Sequence, residues 1–353
     1  MNKDNDPDYE ENFKSRFCFK DKDQYNWKII KPSKNLIKVF RGRAKNDGKT
    51  LIFVKQMQIF PNNKKNLKSI LKEINFTFSL KNKKYFPKNV SIELSKDEHF
   101  VFLIFQDQAI SLNLAINDNF LGSIQKEKKN LFNYIIYQIA FGLYYLHSNS
   151  IIHHDIKPSN IIISGKGDIS IIDFGSAIYK NEKSESFTFS YVAPECLIKS
   201  KKYIDEKVDM WSLGVVMLEL YYKKNIFSKE KNREDQISHI YYNQYLHIKE
   251  NYKNIDSYKD FLNNGKNIVF SLDKKILDLI NDEDAIDLIK NLLNFNPNLR
   301  YSAKQVLESN YLKEFKNENS LDVEPIEYPF DYKEISDDEM NYKKCVQLIK
   351  KLI

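Results

Sequence analysis

The residues that decide the fold are Ile-Ile-His-His-Asp-Ile-Lys-Pro-Ser-Asn at positions 151–160. An apolar pair opens this stretch and the apolar run Ile161–Ile163 follows it, so a polar loop lies between two segments that are expected to be buried. The loop contains a carboxylate, an ammonium and an amide in close succession, at Asp155, Lys157 and Asn160. A loop that only satisfied its own turns would rarely combine these groups. We therefore interpret the stretch as a chemical site.

A second motif, Asp173-Phe174-Gly175, follows the apolar residues Ile171 and Ile172 directly. Taken alone, such a tripeptide indicates only a turn. Its position 13 residues after Asn160, with a short strand-like run between, makes it more informative. Further along, the segment 190–195 reads Ser-Tyr-Val-Ala-Pro-Glu, and Thr188 precedes it. The order and spacing of these motifs match those of the family described below.

Two charged residues upstream extend the pattern. Lys55 lies in the β-type run Thr50–Gln58, and Glu73 follows 18 residues later. The apolar residues Leu67, Ile70, Leu71 and Ile74 recur at helical spacing around Glu73, which predicts an amphipathic helix. Either charged residue alone would be interpreted as a solvated surface group. Their spacing, and their position ahead of the 151–160 loop, match the family pattern described below.

The organisation of the chain changes near residue 105. Before it, β-type runs dominate at residues 36–40, 50–58, 90–94 and 100–105, with Asp47-Gly48 as a hairpin signal. After it, helical patterns prevail at residues 131–146, 209–222, 282–293 and 302–307, with short strands at 160–164 and 170–172. A strand-rich third with one helix and a helical remainder predict an α+β protein of two lobes with a cleft between them.

Composition excludes several classes of protein. The formal charge is +7, from 55 basic and 48 acidic residues, but the lysines are scattered among acids and asparagines, so no nucleic-acid face is predicted. The three cysteines form no CxxC pair, which argues against a zinc site or a disulfide framework. The apolar stretches are too short for membrane spans and residues 1–12 are unlike a secretory signal. We expect an intracellular protein, cytoplasmic, nuclear or both.

These motifs resemble those of the eukaryotic Ser/Thr protein kinases over about residues 27–315. The resemblance implies Mg²⁺ and ATP as cofactors and proteins as substrates, with a regulatory protein as a further partner. It makes Asp155 the catalytic carboxylate and Lys157 the residue that meets the γ-phosphate. Lys55 would hold the α- and β-phosphates and pair with Glu73, whereas Asn160 and Asp173 would bind the metal.

The resemblance also implies structural roles and domain boundaries. Thr188 would contact Asp155 and Lys157, Asp209 would brace the catalytic-loop backbone, and Arg300 would pair with Glu195. It predicts the two-lobed kinase fold, with a small antiparallel sheet lobe carrying one helix and a larger, mainly helical lobe. The predicted boundaries are an extension at 1–25, the small lobe at 26–105, the large lobe at 106–315 and a tail at 316–353.

The chain departs from the family pattern in three places. Residues 30–39 contain no glycine where the family has a glycine-rich loop, so close approach of backbone amides to phosphates is weakened. Phe53 replaces the alanine that lies against adenine. His154 replaces the arginine that couples to a phosphorylated activation loop, so control by loop phosphorylation is not expected.

The C-terminal third resembles the cyclin-dependent and mitogen-activated kinases. Residues 296–311 match the end of their large lobe, residues 234–237 resemble their insert, and residues 324–330 resemble the extension that wraps back on the small lobe in mitogen-activated kinases. Val192, however, stands where those kinases carry the arginine associated with proline-directed specificity.

Three functions compete at this stage. The first is an active Ser/Thr kinase, supported by the retained residues that touch metal, phosphate and substrate. The second is a pseudokinase scaffold with weak or no catalysis, supported by the missing glycines, Phe53 and His154. The third, phosphorylation of a small molecule, is disfavoured by Lys157, Thr188 and the Ala-Pro-Glu segment, which are typical of kinases with peptide substrates.

Overall fold

The computed structural model describes residues 16–17, 22–31, 37–48, 51–106, 109–117, 120–125, 130–182, 188–197, 204–225, 280–294, 296–316, 321–330, 335 and 340–353. Two compact units contain them: residues 1–110, 172–175 and 326–353 belong to the first, and residues 111–171 and 176–325 to the second. Residues 32–36, at the centre of the glycine-poor stretch, and most of the Lys/Asn-rich region 224–280 with the insert at 234–237 lie outside the described residues.

Among the described residues, strands predominate before residue 106 and helices after it, as the sequence predicts. The strands are β1 (Tyr25–Lys31), β2 (Ile37–Ala44), β3 (Leu51–Gln58), β4 (Val90–Leu94), β5 (Phe100–Gln106), β6 (Ala109–Ser111), β7 (Ile151–Ile152), β8 (Ile161–Ser164), β9 (Ile169–Ile171) and β10 (Ile178–Tyr179). The α-helices are α1 (Lys64–Leu80), α2 (Leu112–Asn117), α3 (Phe120–Gln125), α4 (Leu131–Ser148), α5 (Pro194–Leu197), α6 (Lys207–Tyr222), α7 (Glu283–Leu292), α8 (Ala303–Leu307) and α9 (Tyr342–Lys350).

The first unit is built on an antiparallel sheet with the strand order β1-β2-β3-β5-β4. The predicted hairpin at Asp47-Gly48 is confirmed: Gly48 has a φ of 61° and its N–H donates to the carbonyl of Ala44. Strand β1 was not among the predicted runs, although Tyr25–Lys31 alternates polar with apolar residues over much of its length, as a half-buried strand does. Its pairing with β2 completes the sheet at one edge.

One face of this sheet packs on α1. Asn63 begins the helix by accepting the N–H of Asn66, and the predicted apolar stripe Leu67, Ile70, Leu71 and Ile74 is buried. The stripe forms one core with Met57, Ile92, Val101 and Leu103 from the strands. Helix α9 contributes to the same core and buries its apolar face there.

The opposite face is covered by the segment that precedes β1. The ring of Phe17 is fully buried and lies 5.0 Å from the ring of Phe102 and 5.6 Å from that of Trp27. The guanidinium of Arg16 lies over the ring of Phe100. Lys22 donates from Nζ to the carbonyl of Phe17, which fixes this segment on the sheet. The first 25 residues, predicted to have little to bury, therefore supply at least one core residue.

The second unit is mainly helical. Helix α4 is buried along most of its length, and α6 carries thirteen buried residues, from Val208 to Leu220, which explains why its sequence has no polar face. Strands β8 and β9 form a hairpin, and β7 pairs with β10. No helix among the described residues has the length and apolarity needed to span a bilayer.

A buried ion pair fastens α5 to the segment before α8. Arg300 donates from both terminal nitrogens to the carboxylate of Glu195, at 2.7 and 2.9 Å, and its side chain is fully buried. Arg300 also donates to the carbonyls of Asn294 and Lys207, and its guanidinium lies over the ring of Trp211. The arrangement satisfies most of its donors, as a buried guanidinium requires.

Arg300→Ala should destabilise the protein by about 3–5 kcal/mol, because it leaves the Glu195 carboxylate without its buried partner. The measurement is the free energy of unfolding in urea. Lys313→Ala removes the cation of an exposed pair with Asp284 and is the matched control, with little expected loss. Equal effects of the two substitutions would contradict this account of the buried pair.

Candidate active site

The first group of predicted residues meets around one lysine. Lys55 on β3 donates to the carboxylate of Glu73 on α1, and to Oδ1 of Asp173 at 2.8 Å. Lys55 and Glu73 are buried, and the Asp173 side chain is one-third exposed. The β3–β5 ladder and the α1 stripe fix the two buried residues from opposite sides of the core. Glu73 and Asp173, which are distant in sequence, therefore share the Lys55 ammonium as their cation.

The electrostatics of this group keep the lysine charged. Burial alone lowers the pKa of Lys55, but the charges of Asp173 and Glu73 outweigh burial, so the pKa is raised above its usual value. A buried ammonium with two carboxylate partners is a stable cation at neutral pH. It can attract and position an anionic ligand such as a phosphate.

The backbone around Asp173 is adapted to this contact. Asp173 has a φ of 68°, in the left-handed region. A Cβ at Gly175 would lie 3.1 Å from Oε2 of Glu73, so only glycine leaves the ion pair undisturbed. The ring of Phe174 is fully buried and lies 6.2 Å from that of Phe86. These contacts explain why the residues after Asp173 are Phe and Gly.

The second group meets around Asp155. Thr188 donates from Oγ1 to Oδ1 of Asp155 at 2.6 Å, while Lys157 donates to Oδ2 at 2.6 Å and to Thr188 Oγ1 at 2.7 Å. Asn160 donates from Nδ2 to Oδ2 of Asp155 at 3.0 Å and to its carbonyl at 2.8 Å. Asp155 is thus an oriented carboxylate with a cation beside it, which suits a group that accepts or directs a proton.

A buried carboxylate on α6 holds the loop that carries Asp155. Asp209 accepts the N–H of His153 and that of His154 at 2.9 and 2.8 Å. The His147 ring nitrogen Nε2 lies 2.9 Å from Asp209 Oδ2. Burial acts to raise the pKa of Asp209, but the hydrogen bond and charge of His147 leave it below the usual value. Asp209 therefore braces the backbone as an ionised acceptor.

The residue before Asp155 is His154, at a φ of 64° and almost fully buried. Its backbone N–H is held by Asp209, so the loop conformation depends on the buried carboxylate. The imidazole has a shorter reach than the guanidinium expected there. The loop geometry is thus maintained without an arginine.

The metal-ligand candidates belong to separate groups, Asn160 to the second and Asp173 to the first. Asn160 donates from Nδ2 to Asp155, and no described residue donates to its Oδ1. That oxygen is therefore available as a ligand for a metal ion. The amide oxygen of Asn160 and the carboxylate of Asp173 are each hard oxygen ligands of the kind that Mg²⁺ takes, so each residue fits this metal. No cluster of three or more His, Cys, Asp or Glu suited to a metal occurs in the described part of the chain.

All six predicted site residues lie within these two groups, which belong to different units. The sequence reading missed His147, which lies at the end of α4 and pairs with Asp209. It also missed Glu219, a buried carboxylate on α6 that accepts the hydroxyl hydrogen of Tyr191 at 2.7 Å. A polar residue in the otherwise apolar run Leu213–Leu220 was the available signal for Glu219.

Comparison with known proteins identifies relatives over most of the chain. A family model described as the protein kinase domain matches residues 36–312. Mitogen-activated protein kinase 13 of Arabidopsis thaliana is 29% identical over 269 residues, which cover 72% of this chain and 70% of that protein. Mitogen-activated protein kinase 3 of the same plant is 28% identical over 258 residues, covering 69% of each chain.

Gly175→Ala should destabilise the first unit by about 1–3 kcal/mol, since the added methyl group presses on the buried Glu73 carboxylate. Chemical denaturation measures the loss. Gly165→Ala is the matched control, because a Cβ there meets open space. If Gly175→Ala is as stable as the control, the Glu73 carboxylate can move away from the added methyl group without loss of stability.

Proposed function

Because this chain belongs to the protein kinase family and is a Ser/Thr protein kinase of the mitogen-activated type, we propose that it transfers phosphate with the two groups of residues described above. One observation carries the proposal: the chain has both groups of residues, and the members of each group are hydrogen-bonded to one another. Proteins are the substrates of this family, and ATP is its phosphate donor.

Asp155 acts on the acceptor hydroxyl. Its carboxylate orients a serine or threonine hydroxyl of the substrate and accepts the proton as the new bond forms. Thr188 and Lys157 hold the carboxylate in one rotamer, so little reorganisation is needed. Lys157 also supplies a positive charge where negative charge develops on the transferred group.

The other group serves the phosphate donor. Lys55, kept ionised by its two carboxylate partners, would hold the α- and β-phosphates, and Glu73 would fix the ammonium in place. Asn160 and Asp173 would hold Mg²⁺, which neutralises charge on the phosphates when it is bound. ATP supplies the transferred γ-phosphoryl group.

Catalysis rather than scaffolding is supported by the residues that remain. A scaffold has no need of a buried ammonium with two carboxylates, since burying these charges costs several kcal/mol per ion before pairing. Here that arrangement persists together with the Asp155 group. We therefore regard the missing glycines and Phe53 as changes in nucleotide affinity that leave the chemistry in place.

Regulation is expected to differ from that of the mitogen-activated relatives. With His154 in place of arginine, a phosphate on the activation segment lacks its usual bidentate partner. The contacts of Thr188 with Asp155 and Lys157 form without a phosphate. Val192 supplies no cation, so we do not expect strict selection of proline after the phosphorylated residue. An intracellular location and a regulatory protein partner remain part of the proposal.

Asp155→Asn should lower phosphate transfer to a generic protein acceptor by about 10²–10⁴-fold, because the amide cannot accept the proton. Lys55→Met should also abolish most transfer, by leaving Glu73 and Asp173 without their cation. Transfer from Mg-ATP is measured with purified protein. If the wild-type protein transfers no more phosphate than the Asp155→Asn variant, the proposed function is refuted.

Phe53→Ala should lower the KM for ATP with little change in kcat. Phe53 lies two residues before Lys55 on β3, hence on the same face of the sheet, and directly opposite Phe105 on β5. Both residues are partly buried and lie on the sheet face that carries Lys55. Ile52→Ala, on the opposite face, is the control and should leave the KM unchanged at a cost in stability. An unchanged KM in Phe53→Ala would show that the ring does not restrict the nucleotide.

A further inference from the structure

We infer that Phe17 is a positioning residue for the phosphate donor, because it ties β1 and β2, the strands that flank the glycine-poor stretch, to the rest of the sheet. The inference rests on the proposed function, since it concerns how the ATP site is formed. Every contact that carries it lies within the first unit.

Phe17 belongs to an aromatic cluster on the sheet face opposite α1. Its ring is fully buried and contacts the rings of Trp27 on β1 and Phe102 on β5, with centroids 5.6 and 5.0 Å away. Phe40 and Val54, from the two strands between them, are buried in the same cluster. One side chain from outside the sheet therefore packs in a single cluster with residues of four strands.

Trp27 extends this contact to the backbone of β2. A Cβ at Gly42 would lie 2.9 Å from the Trp27 ring and 2.6 Å from Cγ2 of Ile52, so the ring lies directly against that strand. The indole Nε1 donates to the carbonyl of Lys22 at 2.8 Å, and Lys22 donates from Nζ to the carbonyl of Phe17 at 2.8 Å. Phe17 and Trp27 are therefore connected by hydrogen bonds as well as by their rings.

The residues around Phe17 also reach the opposite edge of the sheet. Strand β4 forms that edge, and its Glu93 lies opposite Phe102 and has a buried Oε2 that accepts no hydrogen bond from a described residue. Burial raises the pKa of Glu93 to about 6, while the nearby charge of Lys22 acts to lower it. The guanidinium of Arg16 lies over the ring of Phe100 on β5. Contacts on both sides of Phe17 therefore span the sheet from β1 to β4.

This cross-connection fixes the strands beside the phosphate-binding lysine. Val39 on β2 lies directly opposite Lys55 on β3, and β1 and β2 carry the ends of the stretch 30–39, which contains no glycine. A glycine-rich loop can adjust its own backbone to a phosphate, whereas a stretch without glycine has fewer conformations and depends on the strands that carry it. Loss of the Phe17 contacts would let β1 and β2 shift relative to β3, which reduces the fraction of molecules that can bind nucleotide.

The full-length variants Phe17→Ala and Phe17→Leu test this role. The Kd for Mg-ATP is measured by calorimetry, and hydrogen exchange is followed in the amides of β1 and β2. Phe17→Ala should raise the Kd about fivefold or more, as expected if the competent fraction falls to about a fifth, and should increase exchange in both strands. The KM for ATP should rise by the same factor, with a smaller change in kcat. Phe17→Leu keeps an apolar side chain and should give intermediate values, and it carries the comparison if the Ala variant does not fold.

Phe141→Ala is the matched control, because it removes the same ring from a buried position on α4 in the second unit. It should lower stability without raising the Kd or the exchange in β1 and β2. A wild-type Kd in Phe17→Ala, or an equal rise of the Kd in Phe141→Ala, overturns the inference. If the wild type binds Mg-ATP but transfers no phosphate, the proposed function fails, and the Kd values alone decide the role of Phe17. If the wild type binds no Mg-ATP, both are overturned.

Discussion

The shared cation Lys55 is the constraint on which the rest of the first unit depends. A buried ammonium is tolerated only when carboxylates surround it, and its two partners come from a helix and from the turn at Asp173. The position of each carboxylate must therefore be fixed by packing elsewhere in the unit. The α1 stripe, the close approach at Gly175 and the packing of α9 on the same core all serve this requirement.

In the second unit, the corresponding constraint is the buried carboxylate Asp209. It accepts two consecutive backbone N–H groups and so fixes the loop that carries Asp155. Such a loop keeps its geometry when a neighbouring side chain changes, because the bonds are made by the backbone. This explains how His154 can stand at a position where charge is expected without loss of the Asp155 network.

The fold class and both groups of residues could be predicted because the motifs that contain Lys55, Glu73, Asp155 and Asp173 resemble those of the protein kinases. The sequence did not predict β1, whose backbone pairs with β2, a contact between segments that the sequence of β1 alone does not indicate. It also missed the burial of Phe17 and the pairing of His147 with Asp209. These depend on contacts between distant segments, which local pattern does not encode.

The contribution of α9 to the core of the first unit also bears on how the protein is made. During synthesis α1 and the sheet leave the ribosome long before α9, so the part of the core that α9 completes stays open for most of translation. The nascent first unit therefore presents an apolar surface that chaperones can hold. Folding of this unit is complete only after α9 has been made, and a truncated chain would carry an open hydrophobic groove into the cell.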